Sequence, residues 1–456
     1  MKTKIFLFSI ILLLVSCGKQ AQEQKEITLQ NPILPGYFAD PSIVEYEGKF
    51  YMYVTADPWG GNFLSCWESD DFQNWTFHKL NWPTKEACTS SLSNENMVWA
   101  PSVVRKGDSF YMYISVGSEV WCGKAEHPLG PWENMLGDKP MIAFDTTYYY
   151  HVIDAEAFVD EDGKAYLYWG SGWEWINGHC FAAELNDDMC TFKSEIVEVT
   201  PTRYFEGPLM IKRDSVYYLT YSEGKTIDKT YEVRYAVGDN PFGPFTEAEN
   251  SPILKTDEEL QVYGPGHHTV FSLQGKDYIL YHRHRLPFQE GSAYRQVCIS
   301  ELKFDDAKKQ INNITPVHTQ SFPAINKNPK TYIQPVSIKA SSETENYKAA
   351  NMQDNNFATL WKASADEENP WVIAQFAPDT KIDTMEVRFE YPWKNYYTKI
   401  ETSADGEQWN TVIDYLCEGV SGSPVIIPVG AETSYIRMSF DKEGDTEVAI
   451  WDVYFY

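Results

Sequence analysis

Positive charge is what this 456-residue chain has least of: 38 Lys and Arg stand against 65 Asp and Glu, a formal net charge of −27. Such a surface repels polyanions, which argues against nucleic acid or an anionic membrane surface as partner. It suits a neutral ligand, and equally a protein kept in solution by its charge. Long apolar runs are missing beyond the first 20 residues, so no later segment has the length to span a bilayer. The CxxC spacing is missing too. Of eight cysteines, Cys17 lies in the N-terminal segment and seven remain, an odd number that gives a disulfide framework or a zinc site little support.

The N-terminal segment "MKTKIFLFSIILLLVSCGKQ" places Lys2 and Lys4 before an apolar run that ends at Cys17. The run is short for a membrane span and reads as a secretion signal. "LVSC" resembles a bacterial lipobox, so the expectation is cleavage before Cys17, lipidation of its thiol and export to a bacterial membrane, facing the periplasm or the cell surface. That anchor would be the only membrane contact. Residues 18–29 read as a polar tether.

What the chain has in quantity is aromatic side chains, 15% of it, with 30 Tyr and 15 Trp. Many fall in a pattern that occurs five times: "DPSIVEYEGKFYMYVT" from Asp40, "APSVVRKGDSFYMYIS" from Ala100, "DAEAFVDEDGKAYLYWG" from Asp154, "EGPLMIKRDSVYYLTYS" from Glu206 and "HHTVFSLQGKDYILYHRH" from His267. Each copy has a lead residue, an apolar strand, a Gly- or Asp-bearing turn and a Tyr-rich alternating strand, the signature of a hairpin. The landmark tyrosines Tyr51, Tyr111, Tyr166, Tyr217 and Tyr278 recur every 51 to 61 residues. A third strand aligns as "SCWES", "WCGKA", "HCFAA", "VRYAV" and "VCISE". It sets Cys66, Cys122, Cys180 and Cys298 in one register, where they read as small buried thiols that do not pair with each other. Cys88 and Cys190 remain available to bond. Five four-stranded antiparallel units at this spacing predict an all-β chain with a five-bladed β-propeller over residues 30–322.

In a propeller the first strands line the central channel, so the lead residues Asp40, Ala100, Asp154, Glu206 and His267 converge on one funnel. Three carboxylates in one partly dry funnel cannot all keep an ordinary pKa. One is pushed up and serves as an acid, another stays ionised as a base, and hydrolysis of a glycosidic bond needs such a pair. Alone, Asp before Pro is a common turn element, and "DEDG" at Asp160–Gly163 suits a turn or a calcium loop better than catalysis. The joint occurrence of three acids and a histidine in one repeat carries the reading.

The motifs "FADPSIV", "VWAPSVV", "VIDAEAFVDEDGKAYLYWG", "YFEGPLMI" and "GPGHHTV", in this order over about residues 30 to 320, resemble glycoside hydrolase family 43, the propeller enzymes of arabinan and xylan breakdown. The resemblance implies Asp40 as the general base that activates water, Glu206 as the general acid, and Asp154 as the group that orients and tunes that acid, in single-displacement hydrolysis with inversion. It implies no cofactor for the chemistry. It places His267 at the propeller centre and Arg295 on the sugar pocket, though a structural His267 and a surface Arg295 stay open. Trp99 reads as a sugar-stacking platform or as blade packing, and Trp59, Trp173 and Trp175 as rim residues. The substrate implied is a plant polysaccharide or oligosaccharide, cut by an exo-acting α-L-arabinofuranosidase, with β-D-xylosidase, exo-galactanase and an inactive surface glycan-binding protein as alternatives.

Residues 331–456, after a Pro- and Asn-bearing connector, resemble a discoidin, or factor V/VIII type C, domain, a β-sandwich that often binds carbohydrate. Within it "NMQDNNFATLW" is similar to a loop that holds a structural calcium, with Asp354 and then Thr359 as side-chain ligands. "VAIWDVYFY" reads as apolar where the partner carboxylate is expected. Trp393, Tyr396 and Tyr397 read as a binding patch or as core.

Overall fold

The computed structural model describes residues 25–325, 330–442 and 447–456, so the expected signal segment and Cys17 lie outside the described residues. The protein is all-β. Among the described residues only Ser93–Glu95 and Ala349–Gln353 are helical, each a short 3₁₀ segment.

Four blades are antiparallel four-stranded sheets built in chain order. Blade one begins with Phe38–Tyr46 and Lys49–Ala56, blade two with Val98–Lys106 and Ser109–Val116, blade three with Glu156–Val159 and Ala165–Trp169, and blade four with Glu206–Arg213 and Val216–Glu223. Blade five differs from expectation: Gly266–Leu273, Lys276–His284 and Arg295–Leu302 form a three-stranded sheet. The first strands adjoin in a closed ring, each beside the next and the fifth beside the first.

Period-two alternation explains how the aromatic load is spent. In blade one Tyr51 and Tyr53 pack on Phe110 and Met112 of blade two, while Phe50 and Met52 pack on Tyr278 and Leu280 of blade five. Both faces of each blade are thus buried, and five apolar clusters fill the five gaps between blades. Each such large side chain contributes on the order of 1.5–3 kcal/mol when buried.

Strand pairing corrects the repeat alignment in blade four. Tyr53, Tyr113 and Tyr168 pair with Ser42, Ser102 and Glu156, and the equivalent pair in blade four is Thr220 with Leu209. Its lead position is therefore Gly207 and its landmark Tyr218, each one residue later than the sequence pattern suggests. The backbone agrees: Asp40 (φ 51°), Ala100 (φ 48°), Asp154 (φ 58°), Gly207 (φ 59°) and His267 (φ 37°) all lie in the left-handed region. In blades one, two, four and five this residue falls within a break in strand register. Such a bulge turns the lead side chain toward the axis, at about 1–2 kcal/mol of strain for a residue other than glycine.

A disulfide joins Cys122 of blade two to Cys190 in the loop after blade three's Phe181–Leu185 strand, with Cα atoms 6.0 Å apart. This corrects the reading of Cys122 as a thiol. Cys66, Cys88, Cys180 and Cys298 are free and buried, and Cys417 is free and exposed. The "DEDG" segment is a turn whose acid is already satisfied, since Asp160 accepts from the Tyr217 hydroxyl (2.6 Å) and pairs with Lys212.

The C-terminal domain is one seven-stranded sheet around its own apolar core. Its long strands Trp371–Phe389 and Val425–Asp441 pair with register breaks between Gln375 and Thr380 and between Ile382 and Thr384, where the sheet can bend over that core. The domain packs on both sides of the junction between blades one and five. Phe77 N–H donates to Ser423 O (2.8 Å) and Arg388 Nη1 to Trp75 O (2.8 Å) on blade one; Gln296 Nε2 donates to Phe357 O (2.7 Å) on blade five. Trp393 packs edge-on against Phe38 (5.9 Å) and Phe63 (5.6 Å) of blade one, and Tyr396, 2% exposed, stacks on Phe389 (4.1 Å). These two rings are interface and core, not a surface binding patch; Tyr397 is half-buried at the start of the Tyr397–Ser403 strand.

Candidate active site

Hydroxyls at the top of the second strands position the lead residues. Thr55 Oγ1 accepts the N–H of Ala100 (2.8 Å), Ser115 Oγ that of Asp154 (3.0 Å) and Ser222 Oγ that of His267 (2.9 Å). Each link runs from one blade to the lead residue of the next, so the register of the ring is held by hydroxyls that accept from backbone N–H groups. The funnel they define is a cavity of about 230 Å³ lined by Asp40, Trp59, Trp99, His151, Asp154, Ser171, Trp173, Trp175, Glu206, Thr226, His267 and Arg295 among others. It has room for one sugar ring.

Asp40 is held as a carboxylate. Its Oδ2 accepts from Thr55 Oγ1 (2.8 Å), and its Oδ1 faces Arg295 Nη1 (3.0 Å), His282 Nδ1 (3.1 Å) and His267 Nδ1 (3.4 Å). Burial alone would raise its pKa; the Arg295 guanidinium and the two histidines outweigh burial and hold it well below the usual carboxylate range. Arg295 is itself fixed by a two-pronged bridge to Asp57, Nε to Oδ2 (2.9 Å) and Nη2 to Oδ1 (2.8 Å). At 6% exposure it is no surface charge.

Glu206 is the opposite case. Burial pushes its pKa up to about 7, against the pull of hydrogen bonds from the Tyr231 hydroxyl to Oε1 (2.7 Å) and from Ser171 Oγ to Oε2 (3.0 Å). Because Gly207 holds the lead position, Glu206 stands one residue ahead of it, at the level of Trp99 and nearer the mouth. A Cβ on Gly207 would lie 3.3 Å from the His267 ring, so glycine there also makes room for that histidine. Asp154 is pushed well up by burial, with the Glu206 and Asp40 charges adding to the rise. His267 Nδ1 lies 3.6 Å from Asp154 Oδ2 as well as near Asp40, and burial lowers its pKa against the pull of the Asp40 charge. The site thus holds one carboxylate kept ionised and, beside it, a carboxyl poised at about 7 whose buried neighbour is also pushed up, which is the separation of base from acid that acid–base hydrolysis needs.

All six expected catalytic and sugar-contacting residues, Asp40, Asp154, Glu206, Trp99, Arg295 and His267, line this one cavity, with Trp59, Trp173 and Trp175 at its rim. Sequence reasoning missed Thr55, Asp57, Ser171, Tyr231, His282 and His151. Asp57 carried a signal, a second Asp-Pro pair after the Asp40 one; Tyr231 and Ser171 carried none. His151 stacks on Trp173 (4.3 Å) and is lowered by burial to about 4, so it is neutral.

Opposed carboxyls in a sugar-sized pocket at the axis of a propeller define a hydrolase of glycosidic bonds. Residues 29–308 match Glycosyl hydrolases family 43 and residues 337–453 the F5/8 type C domain. The chain belongs to glycosyl hydrolase family 43. It is 35% identical over 294 residues, 61% of this chain and 82% of the relative, to the beta-D-galactofuranosidase xynD of Aspergillus niger. It is 26% identical over 347 residues, 64% of this chain and 67% of the relative, to an arabinoxylan arabinofuranohydrolase of Bacillus subtilis. A solved structure titled "Glycoside hydrolase" superposes over 94% of this chain and 99% of its own with a TM-score of 0.79 and 26% identity.

The oxygens of the expected calcium loop are only partly satisfied by the protein. Thr359 Oγ1 donates to Asp354 Oδ2 (2.6 Å). Asp452, fully buried, has both carboxylate oxygens without a hydrogen-bond partner of normal geometry, the Tyr454 hydroxyl and Asn355 N–H lying near. Burial pushes this carboxyl well up, and Asp354 adds to the rise. Orphaned carboxylate oxygens beside a second acid are what a hard divalent cation would satisfy, so the residues fit. The carboxylate expected near the C-terminus is therefore present: it is Asp452, within the segment read as apolar.

Proposed function

We propose that the protein is an exo-acting, inverting glycosidase that removes terminal α-L-arabinofuranose from plant polysaccharide. The observation that carries this is the pairing of an ionised Asp40 with a Glu206 poised at about 7 in a pocket for one sugar ring. Asp40 takes a proton from water as the water oxygen attacks the anomeric carbon. Glu206 gives its proton to the glycosidic oxygen as the carbon–oxygen bond breaks, and the configuration inverts. Asp154, buried beside both and 3.6 Å from His267 Nδ1, is the third carboxyl that tunes the acid. The preference for a furanose rests on relatives: both the galactofuranosidase and the arabinofuranohydrolase are named for five-membered sugars. The higher identity to the galactofuranosidase makes terminal β-D-galactofuranose the second reading.

The test is release of sugar from aryl α-L-arabinofuranoside, β-D-galactofuranoside, β-D-xyloside and β-D-galactopyranoside by wild type and Glu206→Gln. Turnover of the arabinofuranoside with inverted product supports the reading; a preference for another glycone reassigns it. Turnover that survives Glu206→Gln on a substrate with a poor leaving group refutes the role of Glu206. Lipidation at Cys17 and export to a bacterial membrane complete the proposal, supported by the N-terminal sequence and checked by mass spectrometry of the purified membrane form. A calcium ion held by Asp354, Thr359 and Asp452 would brace the C-terminal domain and take no part in the chemistry.

A further inference from the structure

We propose that a row of rings outside the pocket, on the loop that ends at His151, is a binding ledge for the neutral main chain that carries the cleaved sugar. The proposal rests on the glycosidase reading of the pocket. A cavity of about 230 Å³, floored by acids, admits one ring, so everything beyond the scissile oxygen lies outside it. The direction in which it leaves follows from Glu206, which protonates that oxygen. Glu206 is bonded to Ser171 Oγ, the backbone of Ser171 bridges His151, and His151 stacks on Trp173. The leaving group therefore emerges over Glu206, and on the Ser171 side of that carboxyl the way out runs along the His151–Trp173 wall.

That side carries three of the four most exposed rings. The large aromatic residues most open to solvent among the described residues are Trp59 (43%), Tyr148 (36%), Tyr149 (65%) and Trp173 (40%). Two of them edge the pocket, and the other two continue outward from Trp173. Trp173 meets Phe144 (5.9 Å), and Phe144 meets Tyr148 (6.3 Å). The outer rings are braced from behind. Tyr148 stacks on Tyr150 (4.9 Å), which is buried against Phe181 (4.4 Å), and Tyr149 sits edge-on to His179 (4.9 Å), itself held by Glu198 (2.8 Å). Solvent-facing rings whose orientation is fixed in advance suit the C–H face of a sugar, because little freedom is lost on binding. Asp145 and Glu174 beside them set a negative field that disfavours uronic acids, so the main chain is a neutral one.

The experiment compares wild type, Tyr149→Ala and Tyr148→Ala/Tyr149→Ala on two substrates: arabinoxylan, which has a main chain, and an aryl arabinofuranoside, which has none. Tyr149 is mostly exposed, so the single variant folds, and turnover of the aryl arabinofuranoside reports the fold of the double one. The expected result is a KM on arabinoxylan raised about five- to tenfold with kcat little changed, and a fall of the same size in the ratio of the two kcat/KM values. Equal losses on both substrates, or none, overturn the ledge. Absence of turnover by wild type on both substrates would sink the arabinofuranosidase reading instead. The ledge is then decided by affinity electrophoresis in arabinoxylan gels, where retardation of wild type that is lost in Tyr149→Ala supports it and unchanged migration refutes it.

Discussion

Replacing Tyr231 with phenylalanine should make the enzyme tolerate a higher pH. The Tyr231 hydroxyl donates to Glu206 Oε1 at 2.7 Å, and this bond favours the ionised carboxylate. A hydrogen bond to a charged group is worth about 1.5–3 kcal/mol, and one pKa unit corresponds to about 1.4 kcal/mol. Its removal therefore raises the Glu206 pKa by about one to two units from its value of about 7. Glu206 works as the protonated acid, so the alkaline limb of kcat/KM moves up by the same amount. Phenylalanine keeps the ring that stacks on His282 (5.5 Å, 4° between planes), which isolates the hydroxyl. The assay is kcat/KM against pH on an oligosaccharide, since an aryl leaving group needs little help from an acid. Ser171→Ala, which removes the bond to Oε2, should move the limb in the same direction. A limb that stays in place or moves toward acid in both variants would refute the assignment of Glu206 as the titrating acid.

Arg295→Met leaves Asp40 and Asp57 buried without their shared cation; a stability loss of about 3–5 kcal/mol is expected in urea melts, with the acid limb of any residual activity moved up as Asp40 loses its cation. Removing the Cys122–Cys190 bridge as the double alanine variant should lower stability by about 2–4 kcal/mol, read by calorimetry, with turnover at low temperature retained. Chelator should lower the melting temperature of wild type but not of Asp452→Asn if a cation sits at Asp354 and Asp452; an equal effect on both would remove calcium from the account.

The blade count and the convergence of lead residues were legible because burial on both faces forces apolar alternation that repeats with each blade. The level of Glu206 was not. Gly207 has no side chain to mark the lead position, so the eye takes the neighbouring acid, and only strand pairing shows the shift of one residue. The Cys122–Cys190 bridge was hidden for a related reason: it joins a repeat position to a loop outside the repeat, and no spacing rule links the two. Whether Trp393 was binding ring or core could not be read from sequence because its partners Phe38 and Phe63 belong to another domain more than 300 residues earlier. Asp452 was passed over because the residues around it are apolar, although that is the surrounding that burial of a cation ligand requires.

The ring's two ends meet between the base and its cation. Asp40 belongs to the first blade and Arg295 to the fifth, and no strand of one completes the sheet of the other. A hoop closed in this way fails first at its joint, and here the joint runs through the pocket. The joint is otherwise filled by an apolar cluster that slides without losing a directed bond, whereas a gap of an ångström or two would strip Asp40 of the charge that keeps it ionised. Heat should therefore silence the enzyme before it melts it. The C-terminal domain, gripping blade one at Phe77 and blade five at Gln296, is the hasp across that joint. Damage to it would be recorded as a weakened catalytic base, far from any residue that touches the sugar.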